Sequence, residues 1–415
     1  METLGHTSTE AKRASKLPAI LILTLILAAI LVLIGSTLIV KVGPTTRDVY
    51  PGQSIQAVID SARPGDTIIV HAGVYNQSVV ITKSINLIGD GAILDGTPPA
   101  DSGTTLKNDS IIIEHGVSDV TVKNFEIRNY LSPDGNGIQA WNDGTSNIEI
   151  INNFIHNVTG NAILVGNDGT GFHENWYISD NTVYKNIVGI YVAHGKNVVI
   201  SNNILEESLW SGIWVGIEIG STFNSEHIEV INNTVTNAEY GAGIFVINTS
   251  EEAELKDITI TGNTVSDCST DGIVVLKPFE KCRNSRDVFI SDNRVDNNGG
   301  AGILLQGVSY GKVLANEVTN SRDGIIVFDS NYTSVKRNLV TDNIVDGIEI
   351  NSAENNKVID NIVKDNNWGI VLVDGSSYNI IMFNEAKGNI AYDLSDDKTG
   401  TDNIWEFNIY DTKDW

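Results

Sequence analysis

The sequence has little cysteine, methionine or proline: 2, 2 and 8 residues of 415. So few cysteines exclude a small disulfide framework. With no His/Met/Cys cluster, a soft metal such as copper has no ligands here. Basic residues are also short, with 27 Lys and Arg against 52 Asp and Glu and a formal charge of −25. That balance argues against a nucleic-acid backbone or an anionic membrane surface as partner, and an acidic polysaccharide would be repelled unless cations bridged it. Helical periodicity is scarce, whereas 38 glycines and recurrent asparagines supply turns. The composition is that of an all-β chain.

What is present is a repeated phrase. Gly302, Gly324, Gly347 and Gly369 each open an alternating apolar segment at spacings of 22, 23 and 22, and Asn316, Asn338, Asn361 and Asn384 keep step at 22, 23 and 23. Such a period marks a solenoid, which breaks the usual relation of length to domain number. Extending the register backwards adds Asn293, Asn263, Asn233, Asn203, Asn181, Asn153 and Asn124. The glycine rank runs through Gly272, Gly243, Gly212 and Gly189 to Gly137, with Ala162 substituting once. About 11 coils result. A coil of some 22 residues is too short for a helix pair but suits three short strands and three turns, stacked at about 4.8 Å per coil as a parallel β-helix. In this reading glycine sets a turn, Ile, Val and Leu fill the core, and asparagine ties coil to coil in an internal ladder.

The flanks differ. Lys12, Arg13 and Lys16 precede 24 uncharged residues from Leu17 to Val40, about 36 Å as a helix, enough to span a bilayer. We read residues 1–16 as a cytoplasmic tail and 17–40 as a transmembrane signal anchor that puts the remainder on the extracellular or periplasmic side; Gly35-Ser36-Thr37 leaves cleavage open. Residues 41–50 read as a linker, 51–400 as the solenoid, and the aromatic-rich 401–415 as its cap. Ser54 is an N-cap for a short amphipathic helix over the first coil.

Residues from about Asp48 onward resemble the right-handed β-helix proteins of the pectin-lyase-like superfamily. Pro51-Gly52-Gln53-Ser54-Ile55-Gln56-Ala57-Val58-Ile59, Pro64-Gly65-Asp66-Thr67-Ile68, Gly73-Val74-Tyr75, Leu87-Ile88-Gly89 and the Asn403-Ile404-Trp405 ending look like its NosD-like branch, built of PbH1-type repeats. The resemblance implies a right-handed coil. It does not imply one activity, because the superfamily contains lyases, hydrolases, esterases, epimerases, binding proteins and structural modules. The carboxylate and histidine signatures of polygalacturonases are missing, as is the Asp-Pro-His element of alginate epimerases. Ala193-His194-Gly195 is a partial echo of the polygalacturonase Gly-His-Gly. The reading is therefore a membrane-anchored, non-catalytic module that binds glycan or protein. The alternatives are a polysaccharide-active hydrolase, lyase or epimerase, and an accessory subunit of a membrane complex.

Counting outward positions after each glycine gives an aromatic stripe, Trp141, Tyr191, Trp214 and Phe245, followed by loops carrying Asp143, Asp168, His173, Glu174, His194, Lys196 and Glu218. Aromatic faces beside polar loops can hold a sugar chain, and two carboxylates could serve as acid and base; equally, such aromatics can pack under a loop and such acids can simply be solvated. Further along, Val274, Leu276, Leu304, Ile326, Phe328, Val371 and Val373 make an apolar stripe that would suit a homo- or hetero-oligomeric contact unless inserted loops cover it. Cys268 and Cys282 are a disulfide candidate, with two free thiols the alternative. Asn76, Asn108, Asn157, Asn248 and Asn331 lie in glycosylation sequons. No cofactor is expected and no metal site is assigned, with a structural calcium ion left open.

Overall fold

A computed structural model describes residues 43–97, 109–140, 144–166 and 171–415. The run Leu17 to Val40 lies outside the described residues, among which no helix is long and apolar enough to cross a membrane. The described chain is a parallel β-helix. Each coil contributes two strands to a 27-stranded sheet and one to a 13-stranded sheet. One such coil holds Gly195–Ser201 and Ile204–Glu206 in the first sheet and Ile213–Ile217 in the second. The expected three strands per coil are present. The 13 strands of the second sheet exceed the expected 11 coils because the first coils carry no ladder asparagine to count.

Alternation explains the core. In Ile213–Ile217, Ile213, Val215 and Ile217 are buried while Trp214 points outward, the period-2 pattern of a strand with one buried face. Residues one coil apart pair in parallel register, Ile325 on Ile348 and Ile348 on Ile370, so identical aliphatic positions stack into continuous files.

The asparagine ladder runs unbroken from Asn153 to Asn408. The Asn338 Nδ2 donates to Asn361 Oδ1 at 3.0 Å and to the Val313 carbonyl at 3.0 Å, while the Asn338 backbone N–H donates to the same Asn361 oxygen at 3.0 Å. Each amide thus satisfies groups in three coils at once. Asn124 is not a rung. Its place belongs to the buried Phe125, whose N–H donates to Asn153 Oδ1 at 3.1 Å, while Asn124 is exposed at a φ of 64°. Two further ladders occupy the other turns near the C-terminal end, through Asn343, Asn366 and Asn389, and through Asn356, Asn379 and Asn403.

The glycine rank has a different cause from the one expected. Gly347 does not adopt a left-handed turn conformation; a Cβ there would lie 2.3 Å from Val363 Cγ1 and 2.7 Å from the Gly369 carbonyl oxygen. Close stacking of coils, not backbone conformation, requires glycine.

The ends are also more ordered than the sequence suggests. Thr46–Val49, inside the segment read as a linker, is the first strand and pairs with Thr67 to Val70. The helix Ile55–Ser61 forms as expected, capped by Ser54, whose Oγ accepts from the Ala57 N–H at 3.2 Å, with Ile55 and Ile59 buried. At the other end, Ile404–Glu406 still pairs in register with Ile380 to Met382, so the repeat continues into the segment read as a cap. The terminal residues then fold back, with the Trp405 and Trp415 rings 4.8 Å apart.

Candidate functional site

The outer face of the 13-stranded sheet is set by strand register. Its outward file reads Gln139, Leu164, Tyr191, Trp214, Phe245, Val274, Leu304, Ile326, Glu349 and Val371, each paired with the next coil. Ladder spacing is 30 residues from Asn203 to Asn293 but 22 or 23 from Asn293 to Asn384. The longer coils place extra chain after their strands in this sheet. Segments around Ile219 to Ser221, Thr249 to Glu252 and Phe279 to Cys282 come together there about a cavity of about 570 Å³.

Tyr191, Trp214 and Phe245 are brought into direct contact. The Tyr191 and Trp214 rings are 5.7 Å apart and tilted by 39°, and Phe245 meets Trp214 edge-on at 4.8 Å. Both geometries are favourable ones for aromatic pairs. Leu164, Ile187, Tyr191, Trp214 and Trp210, which is 49% exposed, line an open cavity of about 290 Å³ beside the file. Glu218, at the end of the Trp214 strand, accepts the Tyr191 hydroxyl, and its backbone N–H donates to His194 Nε2 at 3.2 Å. Burial, reinforced by the Glu218 charge, pushes the Tyr191 phenol well above its ordinary range. The result is an apolar platform with one fixed carboxylate at its edge.

Among the other sequence candidates, His194 adjoins this edge through Glu218, and the His173 N–H donates to the His194 carbonyl at 3.3 Å. Trp141, Asp143 and Asp168 are outside the described residues, and the position in register with Tyr191 two coils earlier is Gln139. His173 and His194 are each 1% exposed, with His173 Nδ1 2.6 Å from Thr145 Oγ1, so neither ring presents itself to solvent. Glu174 is on the 27-stranded sheet, where Lys196 Nζ lies 3.5 Å away. Cys268 and Cys282 are free and buried.

Among the sequons, Asn157 is exposed and Asn76 and Asn331 are partly so, while Asn108 lies outside the described residues. Asn248 is fully buried and its Nδ2 donates to the Ala253 and Arg283 carbonyls, so the folded chain has no room for a glycan there. The apolar stripe expected along the later coils is open only in part, in the same exposure class as Tyr191, Trp214 and Phe245 where it is open. Val274 and Val371 are buried, and Leu276, Leu304, Ile326, Phe328 and Val373 are only partly exposed, because each side chain lies against its neighbours one coil above and below.

A carboxylate pair on this face was not expected from the sequence. Near the C-terminal end of the file, Asp346 precedes Gly347 and Glu349 follows it by two, within one strand. Burial, then the Glu349 and Asp323 charges, pushes Asp346 up to about 7. Trp368, in register with Asp346, has its ring 5.6 Å from that of Tyr392, tilted by 39°. About five coils, or roughly 24 Å, separate Trp214 from Glu349 along the same file. Counting outward positions after each glycine reaches Glu349; what such a count passes over is the acidic residue before the glycine, Asp346. Among the described residues no group of three or more His, Cys, Asp or Glu side chains is arranged to hold a metal.

A family model described as "right handed beta helix region" matches residues 101–256 and 215–386, together just over two thirds of the chain. No curated protein matches by sequence. Among solved structures, the chain is similar to the A-module of a mannuronan C-5 epimerase of Azotobacter vinelandii, at 13% identity and a TM-score of 0.54, covering 86% of this chain and 93% of that one. A second A-module of a mannuronan C-5 epimerase from the same organism gives 14%, 0.52, 86% and 94%. A mutant periplasmic alginate epimerase gives 15%, 0.50, 84% and 77%. At these identities the likeness is one of fold.

Proposed function

Since the chain belongs to the right-handed β-helix family, in which function is carried by surface residues grafted on a common coil, we propose that it engages a carbohydrate along the outer face of its 13-stranded sheet. The observation that carries this reading is the contiguous file of Tyr191, Trp214 and Phe245, partly exposed and backed by Trp210. Aromatic rings offer a sugar ring a flat apolar partner, and Glu218 offers a hydroxyl acceptor at its edge. The epimerases of similar fold act on mannuronan or alginate by their names, which supports a polysaccharide as the class of ligand without giving its identity. With Leu17 to Val40 as an anchor, the face would meet glycans outside the membrane.

A second reading, a polysaccharide-active enzyme, is favoured by one observation. Asp346, pushed up to about 7 with the Glu349 charge among the causes, is the kind of carboxyl that can act as acid while a second acts as base or nucleophile. Affinity electrophoresis through gels containing a panel of polysaccharides tests the binding reading, with Trp214→Ala as comparison. Retardation by at least one polysaccharide that is lost in Trp214→Ala supports it; equal migration of both proteins in every gel refutes it. Release of reducing ends or unsaturated uronates that stops in Asp346→Asn would establish the enzyme instead.

A further inference from the structure

The first of the two strands that each coil gives the 27-stranded sheet presents two outward files, in register from Thr121 to Ile404 and from Lys123 to Glu406. One file carries Glu229 and, three coils on, Lys312; the other begins at Lys123 and ends at Glu406. None of these four side chains makes a salt bridge among the described residues, whereas Lys336 on the same face is paired with Asp360 at 3.4 Å. The rims of the face carry five aromatics in left-handed turns, Tyr310, Tyr332, Tyr378, Phe383 and Phe407, each more than half exposed. Earlier coils place Asn147, Asn175 and Asn197, or Asn152, Asn202 and Asn232, at the corresponding turns. Asparagine tolerates that conformation better than a bulky ring, so the rings cost backbone strain and bury little of themselves in their own fold. Such rings belong to a contact made outside the chain.

The order of charges on the face matches a second copy of itself. Glu229 and Lys312 are centred on the step between Thr259 and Phe289, and Lys123 and Glu406 on the step between Thr261 and Ser291 of the same two coils. A two-fold axis parallel to the strands at that step opposes both pairs, Glu229 with Lys312 and Lys123 with Glu406, each made twice. Lys357 then meets Tyr177, Ile231 meets Leu314, and no two like charges of the files coincide. Aligned sheets pack about 10 Å apart, within reach of Lys–Glu pairs. The face runs about 50 Å along the coils and roughly 16 Å across them, so two copies bury about 1,600 Å², the size of a specific interface. We propose that the chain forms an antiparallel homodimer through this face. Tyr191, Trp214 and Phe245 are on the 13-stranded sheet, so the dimer leaves the carbohydrate platform of each copy open.

Charge reversal tests the arrangement on the full chain in detergent, with molar mass read by sedimentation velocity over a concentration series. Glu229→Lys and Lys312→Glu are changes at exposed positions. Each turns both copies of one pair into a repulsion and should weaken the dimer at least tenfold. Mixing the two variants restores opposite charge at both pairs, so the mixture should dimerise as tightly as wild type, and so should the variant carrying both changes. Recovery in the mixture is what a two-fold contact requires and what a folding defect would not give. A wild type that is monomeric at every concentration, single variants that dimerise like wild type, or a mixture that stays apart overturns the proposal. A monomer that instead sediments with phosphatidylglycerol vesicles gives the face to a lipid surface, which also overturns it. The carbohydrate reading is tested separately through Trp214→Ala and stands or falls on its own.

Discussion

The Tyr191 hydroxyl donates to the Glu218 carboxylate of the next coil, so the polar edge of the aromatic platform is fixed by the same stacking that builds the core. Tyr191→Phe keeps the ring and deletes the bond. Thermal melting should show a loss of about 0.5–1.5 kcal/mol, with any carbohydrate affinity reduced less than by Trp214→Ala, because the stacking surface is kept. A loss as complete as that of Trp214→Ala would mean that Glu218, not the ring, is what the ligand contacts.

The ladder makes a paired prediction. Asn338→Ala leaves backbone and amide groups of adjoining coils unpaired and should cost about 1–3 kcal/mol, while Asn124→Gly, one residue off the ladder, exposed and at a φ of 64° that glycine adopts freely, should cost under about 1 kcal/mol. Denaturant titration of the two variants checks the contrast, and the far-ultraviolet β signature should persist in both.

Gly347→Ala adds only a methyl group, yet it meets Val363 and a backbone oxygen that cannot rotate away. The expected cost is about 1–3 kcal/mol in the same titration. Neutrality would show that the coils can separate locally at no expense.

Two aspartates should give opposite pH dependence. Asp66 is held below the carboxylate range, first by the Arg63 backbone N–H and then by that of Thr45, with Arg47 Nε 2.9 Å away. Its folded state keeps the charge, so its stabilisation is present above the ordinary carboxylate value and is lost as pH falls through the acid range. Asp346 is the reverse. Between pH 3.8 and about 7 the folded state binds the extra proton, so stability falls as pH rises through that window, by at most about 4 kcal/mol. Melting curves across that range should show Asp346→Asn gaining on wild type as pH rises to neutrality and Asp66→Asn losing its deficit only in acid.

The coil, its period and the main ladder are legible in the sequence because buried positions recur at one spacing and tolerate little change. Register is harder to read where a residue of the expected type sits one place from the rung. Asn124 is the asparagine nearest the expected spacing, and nothing in the composition says that Phe125 beside it fills the rung. The other ladders, Asn343, Asn366 and Asn389 at steps of 23, and Asn356, Asn379 and Asn403 at 23 and 24, are equally periodic but are masked by the stronger phrase that the glycine rank opens. Tyr191, Trp214 and Phe245 can be read as outward by alternation alone.

The most direct test is a crystal structure of the protein with a bound oligosaccharide selected by gel retardation. The sugar rings should lie over Tyr191 and Trp214 on the 13-stranded sheet. Sugar bound instead on Tyr177 of the other sheet, or on the stacked turn residues Tyr310 and Tyr332, would contradict the account.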